Sequence, residues 1–390
     1  MGISIGLVGL GAFGSSFADL FKRHPLVDRV GLCDREPERV KAFAEREDWT
    51  DKFDPKDAYY SLDDICAADF DALVIITQPW LHAPQCVQAM ESGKCVYSAV
   101  PVMSVPDGDE ILECCDKLVE TVARTGKQYM LGETTFYRPE AMYARRRAAE
   151  GAFGEFVHCQ GDYLHPFDSP GCDLREVKKA RATGKSGQEW EEQARKYREK
   201  GIRYGPMHYP THSVSGPISV MKARAVKVCC WGFAPATDDP YFDGTAYSNE
   251  TALFWMSNGA TMRIREYREV AHGGREGFDI FGTKGSLEGF AWKTQAGETP
   301  LTVEQMRDPL PREVADAWRD AKTDSVAYGG HGGSHAYLVH EFVDAVANER
   351  VPAINVWEAV RYMACGVMAH KSALKDGEIL DVPDWGDAPC

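Results

Sequence analysis

The sequence predicts an α/β fold in which an N-terminal doubly wound parallel sheet is followed by a second α/β unit built on an open, mostly antiparallel sheet. Three observations carry this expectation. Short apolar runs alternate with helical stretches from Ile3 to Leu131, the pattern of right-handed βαβ units. From Phe156 onward, longer half-polar strands follow one another without helices between them, the pattern of antiparallel pairing with one wetted face. The 390 residues give room for about two domains at roughly 100–200 residues each.

The elements follow in order. Ile3–Val8 reads as a buried strand running into Gly9-Leu10-Gly11-Ala12-Phe13-Gly14, and Ser15–His24 as the helix behind it. Val30–Asp34 is the second strand. Pro37 opens a helix over Glu36–Glu47, where its missing N–H costs nothing. Ala72–Ile76 is a continuous apolar run, as a strand covered on both faces requires. A helix over 80–92 is capped by Gly93, Cys95–Ser98 is a strand, a helix over Asp107–Arg124 ends at Gly126, and Gln128–Leu131 is a strand. The half-polar strands are Phe156–Leu164, Ala225–Gly232, Thr251–Met256, Ala260–Tyr267 and Phe278–Gly282. Asp173–Tyr204 is dense in mixed charge and lacks an apolar stripe. It reads as a solvated helical insertion, with a lid or an oligomer contact as the other readings. Helices over 333–348 and 357–375 close the chain. The expected division is 1–133 for dinucleotide binding and 134–390 for substrate and oligomer contacts, with the charged insertion at about 165–204.

Composition narrows the function classes. Lys and Arg number 44 against 59 Asp and Glu, a formal charge of −15. Nucleic acid and anionic membranes both call for a basic face, so neither is expected as a partner. The 12 Cys contain no C-x-x-C pair, so free thiols in a reducing compartment are expected, and no metal site. No apolar run reaches the roughly 18 residues of a membrane span. The apolar start leads straight into a glycine motif, without the basic region or cleavage site of a secretory leader. The cytoplasm is the expected location.

The glycine motif carries the cofactor expectation. It follows a strand, opens a helix, and is followed by an acid at the end of the next strand, with Asp34 placed 20 residues after Gly14. Gly9 permits the tight turn, Gly11 lets the backbone approach a pyrophosphate, and Gly14 lets helix and strand pack closely. The backbone of Ala12 and Phe13 lies at the helix N-terminus, where free N–H groups favour phosphate. Asp34 can accept both ribose hydroxyls and repels a 2′-phosphate, so NAD is the expected cofactor on a Rossmann domain. Arg35 could stack on adenine or meet a 2′-phosphate.

Two further stretches extend the pattern. Thr77-Gln78-Pro79-Trp80-Leu81-His82 resembles a T-x-P-x-x-H turn, and the run from Gly93 to Pro101 resembles G-K-H-V-x-x-E-K-P. With His212 beyond the insertion, this layout resembles the glucose–fructose oxidoreductase and inositol dehydrogenase family (Gfo/Idh/MocA). The resemblance implies that Thr77, Gln78, Pro79, His82 and Pro101 line the nicotinamide side, and that the protein is a homodimer or homotetramer. Its motif carries a proton-transferring lysine where this chain has Val100. One branch, the NAD-dependent redox-neutral glycosidases of the α-N-acetylgalactosaminidase type, reads E-V-P there. Met130 to Glu133 with Tyr137, Tyr209-Pro210-Thr211-His212, and Gly329-Gly330-His331-Gly332-Gly333 resemble that branch in the same order. Ala99 for Glu, and Ser213 to Pro217 for G-L-G-P, depart from it.

The candidate catalytic set is His212, Tyr209 and Glu133. His titrates near neutrality, and Tyr can act as a base where neighbours lower its pKa. Tyr209 and His212 would share a helix face at i, i+3, and His208 with His212 at i, i+4 would also suit a metal pair. Tyr163, His165, His208 and His331 are the candidate substrate contacts. The expected substrate is a small carbohydrate. Its hydroxyl is either oxidised outright or oxidised transiently in a redox-neutral cleavage, and a non-catalytic NAD-binding protein is the remaining reading.

Overall fold

The structure is a computed structural model that describes residues 2–271 and 274–389. The first sheet contains β1 (Ile3–Val8), β2 (Val27–Cys33), β3 (Ala58–Tyr59), β4 (Ala72–Ile75), β5 (Cys95–Ser98) and β6 (Tyr129–Leu131) in the order β3-β2-β1-β4-β5-β6, with every pairing parallel. Helices α1 (Ala12–Arg23), α2 (Pro37–Ala44), α3 (Leu62–Ala67), α4 (His82–Glu91) and α5 (Gly108–Thr125) make the crossovers. The strand order reverses between β1 and β4, which opens a crevice beyond their carboxyl ends, the usual place for a ligand in such a sheet.

After α6 (Pro139–Ala149) comes β7 (Phe156–Leu164), then a small ribbon of β8 (Asp168–Ser169) and β9 (Cys172–Asp173). The insertion follows as two helices, α7 (Leu174–Thr183) and α8 (Lys185–Glu199), and leads to α9 (Thr211–Met221). The second sheet is completed by β10 (Ala225–Phe233), β11 (Asn249–Met256), β12 (Thr261–Tyr267), β13 (Arg275–Gly282), β14 (Gly285–Glu288), β15 (Ala291–Thr294), β16 (Gly297–Pro300) and β17 (Leu380–Asp381). Its nine strands run β16-β15-β14-β13-β7-β12-β11-β10-β17, and among them only β7 and β12 pair in parallel. This is the expected mostly antiparallel sheet. The meander β14–β16 has no counterpart in the sequence reading, because its four-residue strands carry too few positions to show an alternation.

Helix α9 fixes the depth of the site. All of its residues are buried, as an all-round apolar and small-residue helix requires. Two glycines let it lie against the sheet: a Cβ on Gly161 would come 1.8 Å from Ser213 O, and one on Gly216 would meet the Phe278 ring at 2.4 Å. After α10 (Val303–Met306) and α11 (Arg312–Ala317), the chain returns to the first unit through α12 (Ser334–Ala347) and α13 (Val356–Ala373). Phe342 on α12 packs against Phe21 and Tyr97, and Leu131 N donates to Ile354 O at 2.9 Å.

Candidate active site

The glycine loop is shaped for a phosphate. Gly9 has φ +92°, and a Cβ there would lie 2.2 Å from Ile76 O, while a Cβ on Gly14 would lie 2.0 Å from Gly9 O. Gly11 differs, because a Cβ there would meet nothing closer than Arg39 Nη1 at 3.9 Å. Its bareness leaves room on the crevice side. Helix α1 starts at Ala12 with no side chain capping it, so its first N–H groups are available to an anion. Asp34, nearly buried, accepts Leu10 N at 2.8 Å and Glu36 N at 2.9 Å, with Arg39 Nη1 at 3.4 Å. An open cradle, a free helix start and an acid at the end of β2 fit NAD. Arg39, one helical turn beyond Asp34, was not singled out in the sequence.

The candidate catalytic pair lies across the crevice. Glu133 follows β6 and His212 opens α9. The Glu133 Oε1 atom accepts from His212 Nδ1 at 2.9 Å and from Thr135 N at 2.8 Å. Burial disfavours the imidazolium, but Glu133 and then Glu276 outweigh it and hold His212 up at about 9. Burial also disfavours the Glu133 carboxylate, yet His212 and the Thr135 N–H bring it below its usual value. Glu133 Oε2 is buried without a partner among the described residues. With Nδ1 committed to Glu133, Nε2 of His212 is the atom left for a ligand.

Several residues that the sequence did not single out complete this cluster. Glu276 on β13 lies 3.8 Å from His212 Nδ1 and pairs with Arg138 at 2.7 Å. Arg268 sits over the Tyr163 ring at 4.7 Å and binds the buried Glu266, whose carboxyl burial pushes up to about 7. None of these carries a local motif: Glu276, Glu266 and Arg268 reach the site through the pairing of β13, β7 and β12, and Arg138 from the turn ahead of α6.

Of the expected site residues, Tyr163, His165, Tyr209 and His331 are brought to His212. The Tyr163 ring is 4.9 Å from that of His212 and the Tyr209 ring 5.5 Å. The Tyr163 hydroxyl lies 2.8 Å from His165 Nδ1, and His165 Nε2 lies 3.3 Å from Cys172 O. A carbonyl can only accept, so the proton of neutral His165 sits on Nε2 and Nδ1 accepts from the phenol. Burial keeps His165 below its ordinary value. His331, with φ +51° between glycines, stacks 6.3 Å from His212 and contacts Phe13 of α1. Its Nδ1 lies 2.9 Å from Nε2 of His335, which itself stacks on Phe17 at 4.1 Å.

Four expectations are corrected. Tyr209 precedes α9 instead of sharing its face, because its backbone (φ −129°, ψ 59°) is not helical. Its phenol is pushed up by burial, not lowered, and donates to Val100 O at 3.3 Å. His208 is fully buried 4.5 Å from His370 and makes no ring contact with His212 among the described residues. The expected contact to substrate and the i, i+4 metal pair both fall with it. His82 is buried and burial lowers it to about 4, so its neutral ring donates once, from Nδ1 to Pro101 O at 2.8 Å, with Nε2 3.4 Å from Thr77 O, and it shapes the turn after β4. Arg35 is taken up by Glu189 of α8 at 2.7 Å through both terminal nitrogens. Thr77 donates to Gln85 at 2.6 Å, and Gln78 O accepts Leu81 N, which sets the same turn. Pro79 and Pro101 are buried beside it. Val100, where a lysine would stand, is buried.

The insertion is not free in solvent. Trp190 on α8 stacks on Trp80 at 4.8 Å, Lys178 on α7 donates to the carbonyls of Pro240 and Tyr241, and Tyr197 donates to Glu110 at 2.5 Å. It therefore bridges the first sheet and the loop after β10. Among the described residues no helix is long and apolar enough to cross a membrane.

Comparison with known proteins matches a family at each end of the chain. Residues 3–133 match "Oxidoreductase family, NAD-binding Rossmann fold", and residues 257–388 match "Glycosyl hydrolase 109, C-terminal domain". A glycosyl hydrolase family 109 protein of Stenotrophomonas maltophilia is 25% identical over 98% of this chain and 89% of its own. An alpha-N-acetylgalactosaminidase of Tannerella forsythia is 25% identical over 81% of this chain and 71% of its own. Among solved structures, an oxidoreductase domain protein from Kribbella flavida superposes with TM-score 0.73 at 18% identity, covering 98% of this chain and 100% of its own. A scyllo-inositol dehydrogenase from Lactobacillus casei, solved with NAD(H) and scyllo-inositol, gives 0.65 at 18% identity over 98% and 99%. Residues 3–133 thus form an NAD-binding Rossmann domain of the Gfo/Idh/MocA oxidoreductase type, and residues 257–388 a glycosyl hydrolase 109 C-terminal domain.

Proposed function

We propose that this NAD-dependent, sugar-acting enzyme is a redox-neutral glycosidase that oxidises a ring hydroxyl transiently, at ring carbon 3, and cleaves the neighbouring glycosidic bond. The observation that supports it best is the buried Glu133–His212 pair standing in a site whose motif lysine is replaced by Val100. Bound NAD supplies a two-electron acceptor that becomes the donor later in the same cycle. His212 Nε2 takes the hydroxyl proton while Glu133 holds the ring through Nδ1 and offsets its charge. A ketone at carbon 3 acidifies the adjacent C–H. That proton goes to Tyr163 as its phenol proton passes in the same step to neutral His165, so no free phenolate is needed; burial pushes this phenol up and Arg268 over its ring works against that. Tyr209, a phenol kept protonated by burial, protonates the departing glycosidic oxygen. Water adds to the resulting alkene, and the ketone is reduced.

In this proposal residues 1–133 hold the cofactor and 134–390 the substrate. The outer face of the second sheet exposes Trp231, Phe233, Leu253 and Trp255, which supports a homodimer or homotetramer paired through that face. Every described cysteine is a free thiol, which supports a reducing compartment, the cytoplasm. An aryl glycoside deuterated at the carbon next to the anomeric centre tests the reaction. Loss of the label to water during cleavage, with NAD retained through dialysis, is the expected result. Stoichiometric NADH with the glycosidic bond intact identifies a plain dehydrogenase instead.

A further inference from the structure

We infer that Glu189, carried by the inserted helical hairpin, is a specificity-determining residue for the cofactor, because it locks Arg35 and denies that cation to a 2′-phosphate. Arg35 directly follows Asp34 at the carboxyl end of β2, where an arginine ordinarily receives the 2′-phosphate of NADP. Here its two terminal nitrogens each reach a different oxygen of Glu189 at 2.7 Å, and Nη1 also lies 3.5 Å from Ser186 Oγ. A fork-to-fork pair of this kind occupies the same donors that a phosphate would use.

Glu189 is delivered by a braced element. The α7–α8 junction is tied to the same loop by Lys185 N on Glu36 Oε1 and Lys185 Nζ on Arg35 O, both at 3.2 Å. Directly after Glu189, Trp190 is stacked on Trp80 beside the turn after β4. The other cation at this end, Arg39, leans on Asp34 at 3.4 Å. Each cation near the ribose end thus already has a protein acceptor, and a 2′-phosphate would have to displace one. Asp34 selects for the ribose hydroxyls; Glu189 removes the counter-charge that could override it. The pair is largely solvent-exposed, so it contributes little to folding, and replacing it leaves the fold in place.

The test reads nucleotide content, not turnover, so its failure and failure of the glycosidase reading are separate events. The full-length protein is incubated to equilibrium with equimolar NAD and NADP and desalted, and the nucleotides released by denaturation are counted by mass spectrometry. Glu189→Gln raises the bound NADP-to-NAD ratio by about tenfold, the effect of one freed charge-assisted contact. Adding Arg35→Ala to Glu189→Gln returns the ratio to the wild-type value. A ratio unchanged in Glu189→Gln, or one that stays raised in the double variant, overturns the assignment.

Discussion

His212 Nδ1 donates to Glu133 Oε1 at 2.9 Å across 79 residues of sequence, and both side chains are buried. Burial works against the imidazolium, and the carboxylates of Glu133 and Glu276 reverse it, which raises the folded-state pKa from 6.5 to about 9. A raised value contributes stability that is fully present below about pH 6.5 and is lost as pH rises through about 9. Glu133 is lowered, so its contribution is lost only in acid. The unfolding midpoint of wild type should therefore exceed that of Glu133→Gln most at pH 5–6, in the range of about 4.5–6.5 between the two model values, and the gap should narrow up to pH 9. Urea denaturation at stepped pH checks this; a constant gap contradicts the pairing.

The same shift sets a kinetic profile. With a pKa of about 9, the neutral form of His212 is roughly one part in a hundred at pH 7. The kcat/KM of the holoenzyme should rise with pH toward 9, and Glu133→Gln should move that limb to lower pH. His212→Ala should lower turnover by about 10²–10⁴-fold, and Val100→Lys should not restore it. Initial rates on an aryl glycoside give both results, and an unmoved limb assigns the base to another group.

Gly11→Ala and Gly14→Ala should fail in different ways. At Gly14 the new Cβ would sit 2.0 Å from Gly9 O, so the loop must shift and stability should fall by about 1–3 kcal/mol. At Gly11 the Cβ has open space, so the thermal midpoint should hold while NAD content drops. Calorimetry paired with nucleotide analysis separates the two. A stable Gly14→Ala that keeps its NAD would show that the tight packing is unnecessary.

The outer face of the second sheet offers Trp231 at 59% and Trp255 at 64% exposure. If this face pairs copies as proposed, wild type should run as a multimer in multi-angle light scattering and replacing both with Asp should give monomers, since an unpaired charge in an apolar contact is costly. An unchanged mass would place the contact elsewhere.

Much of the first unit was legible because its requirements are local. A turn that only glycine can make, a helix start and an acid one strand later sit within Gly9–Asp34. Glu133 and His212 were legible as motif residues, but the cluster around them was not. Glu276, Glu266 and Arg268 meet the pair through strand register, which no spacing in the chain encodes, and Arg138, near Glu133 in the chain, takes its part through Glu276 on β13. The i, i+4 reading of His208 and His212 assumed an unbroken helix, and the backbone at Tyr209 interrupts it. The resemblance of its turn places His82 on the nicotinamide side, and here its buried ring is held by the Pro101 carbonyl. The charged insertion showed no apolar stripe because a few large contacts fix it, Trp190 on Trp80 foremost.

The return of α12 to the first sheet has a consequence for synthesis. Phe21 and Tyr97 complete their packing on Phe342, and the Trp318 indole donates to Leu20 O at 3.0 Å. These partners leave the ribosome some 200 residues or more after the elements they cover. The nascent N-terminal half therefore emerges with one wall of its core missing and must wait for the last helices to close it. Such a chain exposes apolar surface during translation, and the late-arriving wall makes the two ends of the polypeptide a single cooperative folding event.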